Sequence, residues 1–140
     1  MPIDVAALQG VPIFSSLSKK ELSKLVPLFH ERTFEPGHVI AEEGAQGVGF
    51  FVIESGRAQV TVRGQARTDL GPGSYFGEVA ALDPGPRVAT VTAETSVEAY
   101  VLDAWDFRPL VQEDPALAWG IIQGLIEIVR RREGYETQLG

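Results

Sequence analysis

Residues 71–93 read Gly-Pro-Gly-Ser-Tyr-Phe-Gly-Glu-Val-Ala-Ala-Leu-Asp-Pro-Gly-Pro-Arg-Val-Ala-Thr-Val-Thr-Ala. Two runs inside this stretch matter most: Phe76-Gly77-Glu78-Val79-Ala80-Ala81-Leu82 and Pro86-Arg87-Val88-Ala89-Thr90-Val91. A glycine at 77, ahead of a short apolar turn, lets the backbone approach a ligand with no Cβ in the way. Val79 to Leu82 can form one helical turn whose free N–H groups point at an anion. Arg87 supplies a permanent planar fork suited to two phosphate oxygens. Glu78 is acceptor-only when ionised, so it belongs opposite a hydroxyl donor and away from the phosphate. Taken singly, each residue has a plainer reading. Arg87 could be a surface arginine paired with Glu78, and Gly77 a turn residue.

Outward from this stretch, the pattern is one of short strands. Ala58, Val60 and Val62 alternate with Arg57, Gln59, Thr61 and Arg63, as in a half-buried strand. Gly49 to Ile53 is a nearly continuous apolar run, and Val97, Ala99 and Val101 alternate again. Turn signals punctuate these runs at Pro36-Gly37, Glu43-Gly44, Ser55-Gly56, Gly64 and Gly71-Pro72-Gly73. Short, closely spaced strands of this kind suggest a barrel, a sandwich or a jelly roll.

Helical signals flank the strands. Ser18-Lys19-Lys20-Glu21 is a capping box, with Leu17 and Leu22 placed as a hydrophobic staple. Leu22, Leu25, Val26 and Phe29 follow on one helical face, and Pro27 is expected to bend that helix. After Asp103 a short helix is expected over Trp105 to Val111, interrupted near Pro109. Asp114-Pro115 is a clear helix start, with Asp as N-cap and Pro at the first position. Leu117, Ile121, Leu125 and Ile128 mark one stripe of a long helix, and Gly134 is a plausible stop. Gly120 and Gly124 lie on one face of that helix, where another element could approach closely. Trp119 reads as core packing or as an aromatic lid, and Arg130, Arg131 and Arg132 as partners of the helix C-terminus.

The composition narrows the function. With 140 residues, 44% of them apolar, the chain can bury the core of one ordinary domain. No apolar run is long enough to span a bilayer, and the first residues lack a secretory pattern. The absence of cysteine excludes disulfides and thiolate metal sites. A net charge of −7 disfavours nucleic acid as a partner of this chain alone and repels any anion at long range. An anion site must therefore be built locally. The two histidines, His30 and His38, do not form the pair that a metal-dependent jelly-roll enzyme needs, so no metal site is expected. Nor is a nucleophile–base constellation visible, so no catalytic residue is assigned.

The 71–93 stretch resembles the phosphate-binding cassette of cyclic-nucleotide-binding domains, the family that includes regulatory subunits of cAMP-dependent kinase, the catabolite activator protein and cyclic-nucleotide-gated channels. Nine positions separate Glu78 from Arg87, a common spacing in that motif. Val11-Pro-Ile-Phe-Ser-Ser-Leu-Ser, Glu43-Gly44, Phe51-Val-Ile-Glu-Ser-Gly56 and Phe76-Gly77 fall in the family's order. The resemblance covers roughly residues 8–133. It implies a mainly β fold: an eight-stranded β-roll, jelly-roll-like, with an N-terminal helix and C-terminal helices. As one domain, the helical part spans about 3–30, the β-roll about 31–103 with the cassette at 76–91, and the C-terminal helices about 104–134.

The resemblance also implies a ligand and its contacts. Glu78 and the Gly77 backbone would hold a ribose. Arg87 and the amides of Ala80, Val88 and Ala89 would hold a cyclic phosphate, with Val79 in the same turn. Trp119 and Tyr135 are candidates to cap the base. Position 88 usually carries a small or hydroxyl-bearing residue and here carries valine, which favours cAMP over cGMP. The expected function is that of a cytoplasmic cAMP sensor that signals to an effector protein by repositioning its C-terminal helices. A homodimer through the last helix is a further possibility. The alternatives are a degenerate fold used for protein–protein contact, or the sensor part of a larger transcription regulator.

Overall fold

The structure is a computed structural model and describes residues 3–132. The expected stop at Gly134 and the candidate Tyr135 lie outside the described residues. In chain order come α1 (Val5–Gln9), a 3-10 turn at Pro12–Phe14, α2 (Lys19–Leu25) and a second 3-10 turn at Val26–Leu28. The strands follow: β1 (His30–Phe34), β2 (Val39–Ala41), β3 (Gln46–Gly47), β4 (Gly49–Ser55) and β5 (Ala58–Val62). Then come β6 (Gln65–Leu70), β7 (Tyr75–Phe76), β8 (Gly85–Pro86), β9 (Thr90–Ala93) and β10 (Val97–Asp103). The last elements are α3 (Ala104–Glu113) and α4 (Pro115–Arg132). These form two compact units, one of residues Leu28–Arg108 and one that joins the chain up to Pro27 with the chain from Pro109.

The Leu28–Arg108 unit holds two antiparallel four-stranded sheets, ordered β1-β10-β4-β7 and β2-β9-β5-β6. These supply the eight strands expected of the roll. The two-residue ladder β3–β8 is additional. Both sheets feed one core, in which Phe34, Phe51, Ile53, Val91, Val97 and Val101 are buried together. Each such aliphatic or aromatic side chain contributes roughly 1.5–3 kcal/mol on burial. The apolar run Gly49–Ile53 is buried at every position, as a central strand covered on both faces requires. Two pairings matter for the cassette. Phe76 of β7 pairs with Phe51 of β4, which pins its start. Thr90 and Val91 of β9 pair with Thr61 and Val60 of β5, which pins its end.

In the helical unit the capping box is formed. The Glu21 N–H donates to Ser18 Oγ at 3.2 Å and the Ser18 N–H donates to Glu21 Oε1 at 2.9 Å. The helix stops at Leu25 instead of running bent through Pro27, because the proline has no N–H to continue the ladder and the chain tightens into a 3-10 turn. At Pro109 the outcome is the reverse. α3 is continuous over Ala104–Glu113 with the proline inside it. The bond lost there is the one to the carbonyl of exposed Trp105, which water can replace. Asp114 caps α4 by accepting from the Leu117 N–H at 3.2 Å, and Lys24 Nζ donates to its other oxygen at 2.6 Å. The lysine bond first, then the helix-end N–H, hold the Asp114 carboxyl below its usual range.

The close approach anticipated at Gly120 and Gly124 is present. A Cβ on Gly124 would stand 2.6 Å from the Ile13 carbonyl oxygen and 2.9 Å from its carbon. A Cβ on Gly120 would meet only the end of the Leu17 side chain. Trp119, by contrast, is 58% exposed, so it is not a core residue. Alanine is about 1 kcal/mol better than glycine inside a helix. Overpacking against a fixed backbone costs roughly 1–3 kcal/mol. Gly124→Ala is therefore expected to lower the melting temperature despite its helix propensity. Gly120→Ala, which needs only a shift of Leu17, should leave it nearly unchanged. Equal melting curves for the two variants would contradict this packing.

Candidate functional site

The cassette begins where β7 ends. Gly77 has φ +85°, a left-handed conformation open to glycine at little cost. Its missing side chain also clears space, since a Cβ there would lie 2.5 Å from Arg87 Nη1 and 2.5 Å from the Gly49 carbonyl oxygen. Beyond it, the Ala81 N–H donates to Gly77 O at 3.3 Å, and the Leu82 and Asp83 N–H groups both donate to Val79 O, at 3.0 and 2.8 Å. The result is the single helical turn expected from Val79 to Leu82. Among the described residues, the N–H groups of Glu78, Val79 and Ala80 have no protein acceptor. These are the unpaired donors that open any helical turn.

Arg87 follows the two-residue strand β8. Its N–H donates to Ala45 O at 2.8 Å and its carbonyl accepts from the Gly44 N–H at 2.8 Å, so the main chain is clamped on both sides. The half-buried side chain donates from Nη2 to Gly49 O at 3.0 Å. Its guanidinium carbon sits 5.7 Å from the Phe51 ring centre and 5.9 Å from that of Phe76. Those rings are stacked on each other, 4.8 Å apart and 7° from parallel. Gly47 completes the cradle, because a Cβ on it would overlap the arginine's Cδ and Cζ at 2.7 Å. Among the described residues no carboxylate is paired with Arg87, so the surface ion pair with Glu78 is not formed. Burial pulls the Arg87 guanidinium below its ordinary value, the mark of a cation that has lost water without gaining a counter-charge.

A cavity of about 440 Å³ opens beside this arginine. Gly77, Glu78, Val79, Ala80, Arg87, Val88 and Ala89 all line it. The sequence thus named a set of residues that the fold brings to one wall. Glu78 is partly buried there, and its charge, after burial, helps push the Tyr75 hydroxyl above a tyrosine's usual value. Asp83 adds a second carboxylate to the rim, and the opposite side is apolar, with Ala41, Val60, Leu70 and Val91 from four strands of the second sheet. One charged wall and one apolar wall suit a ligand with an anionic group and a flat apolar body. Sequence reading missed Ala41, Val60 and Leu70, together with Gly47, Gly49 and Phe51 around the arginine, and it placed Phe76 and Val91 in the cassette without giving either a contact. Trp119 lies on α4, exposed, and Tyr135 is outside the described residues. Among the described residues no group of His, Asp or Glu is placed to hold a metal, and His30 is instead paired with Asp103 at 2.8 Å.

The chain is thus a roll of two four-stranded sheets with a cavity beside a half-buried arginine and the turn after Gly77. The particular family follows from comparison with known proteins. The model of the cyclic nucleotide-binding domain matches residues 31–114, and the chain belongs to that family. The cAMP-dependent protein kinase regulatory subunit of Yarrowia lipolytica is 41% identical over 106 residues, which are 74% of this chain and 28% of that protein. The chain thus spans about a quarter of the length of such relatives. Among solved structures, the N-terminal domain of a transcriptional regulator from Streptomyces coelicolor superposes with a TM-score of 0.81 at 27% identity, covering 93% of this chain and 95% of that one. The regulatory domain of Toxoplasma gondii PKA with cAMP gives 0.66 at 28% identity, over 75% of this chain and 42% of that one. Among the described residues no helix is long and apolar enough to cross a membrane.

Proposed function

We propose that the chain binds cAMP as a regulatory sensor, with no reaction of its own, and acts in the cytoplasm. The observation that carries this reading is Arg87, half-buried and paired with no carboxylate among the described residues, on a cavity that it shares with the turn residues 78–80, whose N–H groups have no protein acceptor there. In the complex the guanidinium and the amides of Ala80, Val88 and Ala89 take the cyclic phosphate. Glu78 accepts from the ribose hydroxyl, and the base lies against Val60, Leu70 and Val91. The names of the kinase regulatory subunits support cAMP as the nucleotide. Output to an effector would pass through the C-terminal helices. α3 starts at Ala104, whose N–H donates to Val48 O at 2.8 Å, one residue before the carbonyl that holds Arg87. The likeness to a transcriptional regulator's N-terminal domain favours a second reading at the level of the whole protein, in which this module is the sensor of a longer regulator.

At free cAMP about a hundredfold above Kd, binding adds roughly 2.7 kcal/mol of stability. A thermal melt with cAMP should therefore shift upward, and no shift at millimolar cAMP would leave only a fold used for protein contact. Arg87→Ala should cost roughly 2–5 kcal/mol of binding, since it strips the phosphate of its counter-charge. Glu78→Gln should cost less, because the amide oxygen still accepts. The opposite order by calorimetry would reverse the assigned roles.

Val88 sets the base preference. When the base is syn, the guanine 2-amino group of cGMP lies near the cassette and needs an acceptor, which valine lacks. Leaving a donor unpaired costs about 1–3 kcal/mol. The low end applies because Val88 is 85% exposed before the ligand arrives. In competition, cAMP should outbind cGMP, and Val88→Thr should narrow the gap. Equal displacement by both nucleotides would remove the preference.

We also infer a homodimer through α4. Trp119, Ile122, Ile126 and Val129 are exposed at spacings that place them along one side of the helix. A second copy of the same apolar stripe would cover it. Sedimentation velocity should give a dimer that Ile126→Lys converts to a monomer. A wild-type protein that stays monomeric at high concentration would refute this arrangement.

A further inference from the structure

We propose that Glu43 is a positioning residue for Arg87, because it fixes the loop that clamps the arginine's main chain. The inference rests on the cyclic-nucleotide reading of the Arg87 cavity and adds to it a residue that does not line that cavity. Arg87 follows a strand of only two residues, so the sheet does little to place it. Its position is set by the loop between β2 and β3, through Ala45 O, which accepts its N–H, and the Gly44 N–H, which donates to its carbonyl. Whatever steadies residues 43–45 therefore steadies the phosphate ligand.

Glu43 ties that loop to two other elements. Its N–H donates to Thr90 Oγ1 at 3.0 Å, at the first residue of β9. Its Oε1 accepts from the Arg63 N–H at 2.9 Å, at the tip of the β5–β6 hairpin. Arg63 has φ +53°, the one positive φ outside glycine among the described residues. A side chain larger than glycine's is strained in that region, and the hydrogen bond to Glu43 offsets the strain. A glutamate that holds a strained hairpin residue at one end, and adjoins the arginine's clamp at the other, has a reason to be at this position. The bond uses the Arg63 main chain alone, so the Glu43 side chain needs an acceptor oxygen and not a charge, and the Arg63 side chain is dispensable.

These requirements separate three variants. Glu43→Ala should raise the Kd for cAMP about three- to tenfold, the range expected when one such hydrogen bond is lost. Glu43→Gln should restore an affinity near wild type. Arg63→Gly keeps the N–H and adopts the φ freely, so it should bind as the wild type does. A second readout needs no ligand. Amide exchange of Gly44 and Arg87, followed by NMR, should accelerate in Glu43→Ala and stay slow in Glu43→Gln. Wild-type affinity together with wild-type exchange in Glu43→Ala overturns the proposal. So does a Glu43→Gln variant as defective as Glu43→Ala. If the wild type binds no cAMP, the cyclic-nucleotide reading fails, and the exchange rates still decide whether Glu43 holds the clamp.

Discussion

A guanidinium taken half out of water, with no carboxylate paired to it among the described residues, is the constraint around which the rest of this site is arranged. Partial burial of an ion carries a penalty of several kcal/mol unless a partner repays it. Here the compensation is incomplete: one carbonyl, that of Gly49, and the faces of two stacked phenylalanines. Cation–π contacts of this kind are worth about 0.5–2 kcal/mol each. In the proposed function, an anionic ligand that supplies the missing charge recovers that deficit. A chain with net charge −7 would repel such a ligand from a distance, so the attraction has to be local and directional.

The neighbouring residues follow from the need to hold that side chain in place. Gly47 and Gly77 are side-chain-free where Arg87 lies against the backbone. The pairing of β7 with β4 brings Phe76 onto Phe51, which builds the aromatic shelf. The turn after Gly77 places Glu78, Val79 and Ala80, whose N–H groups have no protein acceptor among the described residues, on the same cavity as Arg87. Preorganisation of this kind reduces what the ligand must spend on ordering the site. The apolar lining from Ala41, Val60, Leu70 and Val91 is continuous with the core of the roll, so one side of the cavity is the edge of the surface that holds the sheets together.

How much of this was legible in the sequence depended on the range of the interaction. Local signals were read correctly. The capping box at Ser18, the Asp114-Pro115 start, the buried Gly49–Ile53 run and the turn after Gly77 are all decided within a few residues. The seven cassette residues could be named because the resemblance to the family's cassette rests on a contiguous stretch of sequence. What escaped was set by contacts distant in sequence. Gly47 drew no reading from the sequence, and only the return of Arg87 against it, 40 positions later, gives it a role. Pro27 and Pro109 look alike in sequence, and the residues whose carbonyls they leave, Ser23 and Trp105, are both exposed, yet one proline ends a helix and the other sits inside one. Trp119 looked like core by its residue type, but its place on the α4 surface leaves it in solvent. Its neighbours Leu117 and Ile121 are the ones buried.

The central claim is that Arg87 serves the ligand and not the fold, and a pair of melting curves on Arg87→Met tests it most directly. Methionine fills a similar space with no charge to desolvate. The account predicts a ligand-free melting temperature equal to or above that of the wild type, and no upward shift when cAMP is added. A ligand-free variant melting well below the wild type would make the arginine a structural staple. A variant that kept the full cAMP shift would place the phosphate elsewhere. Either result would contradict the account.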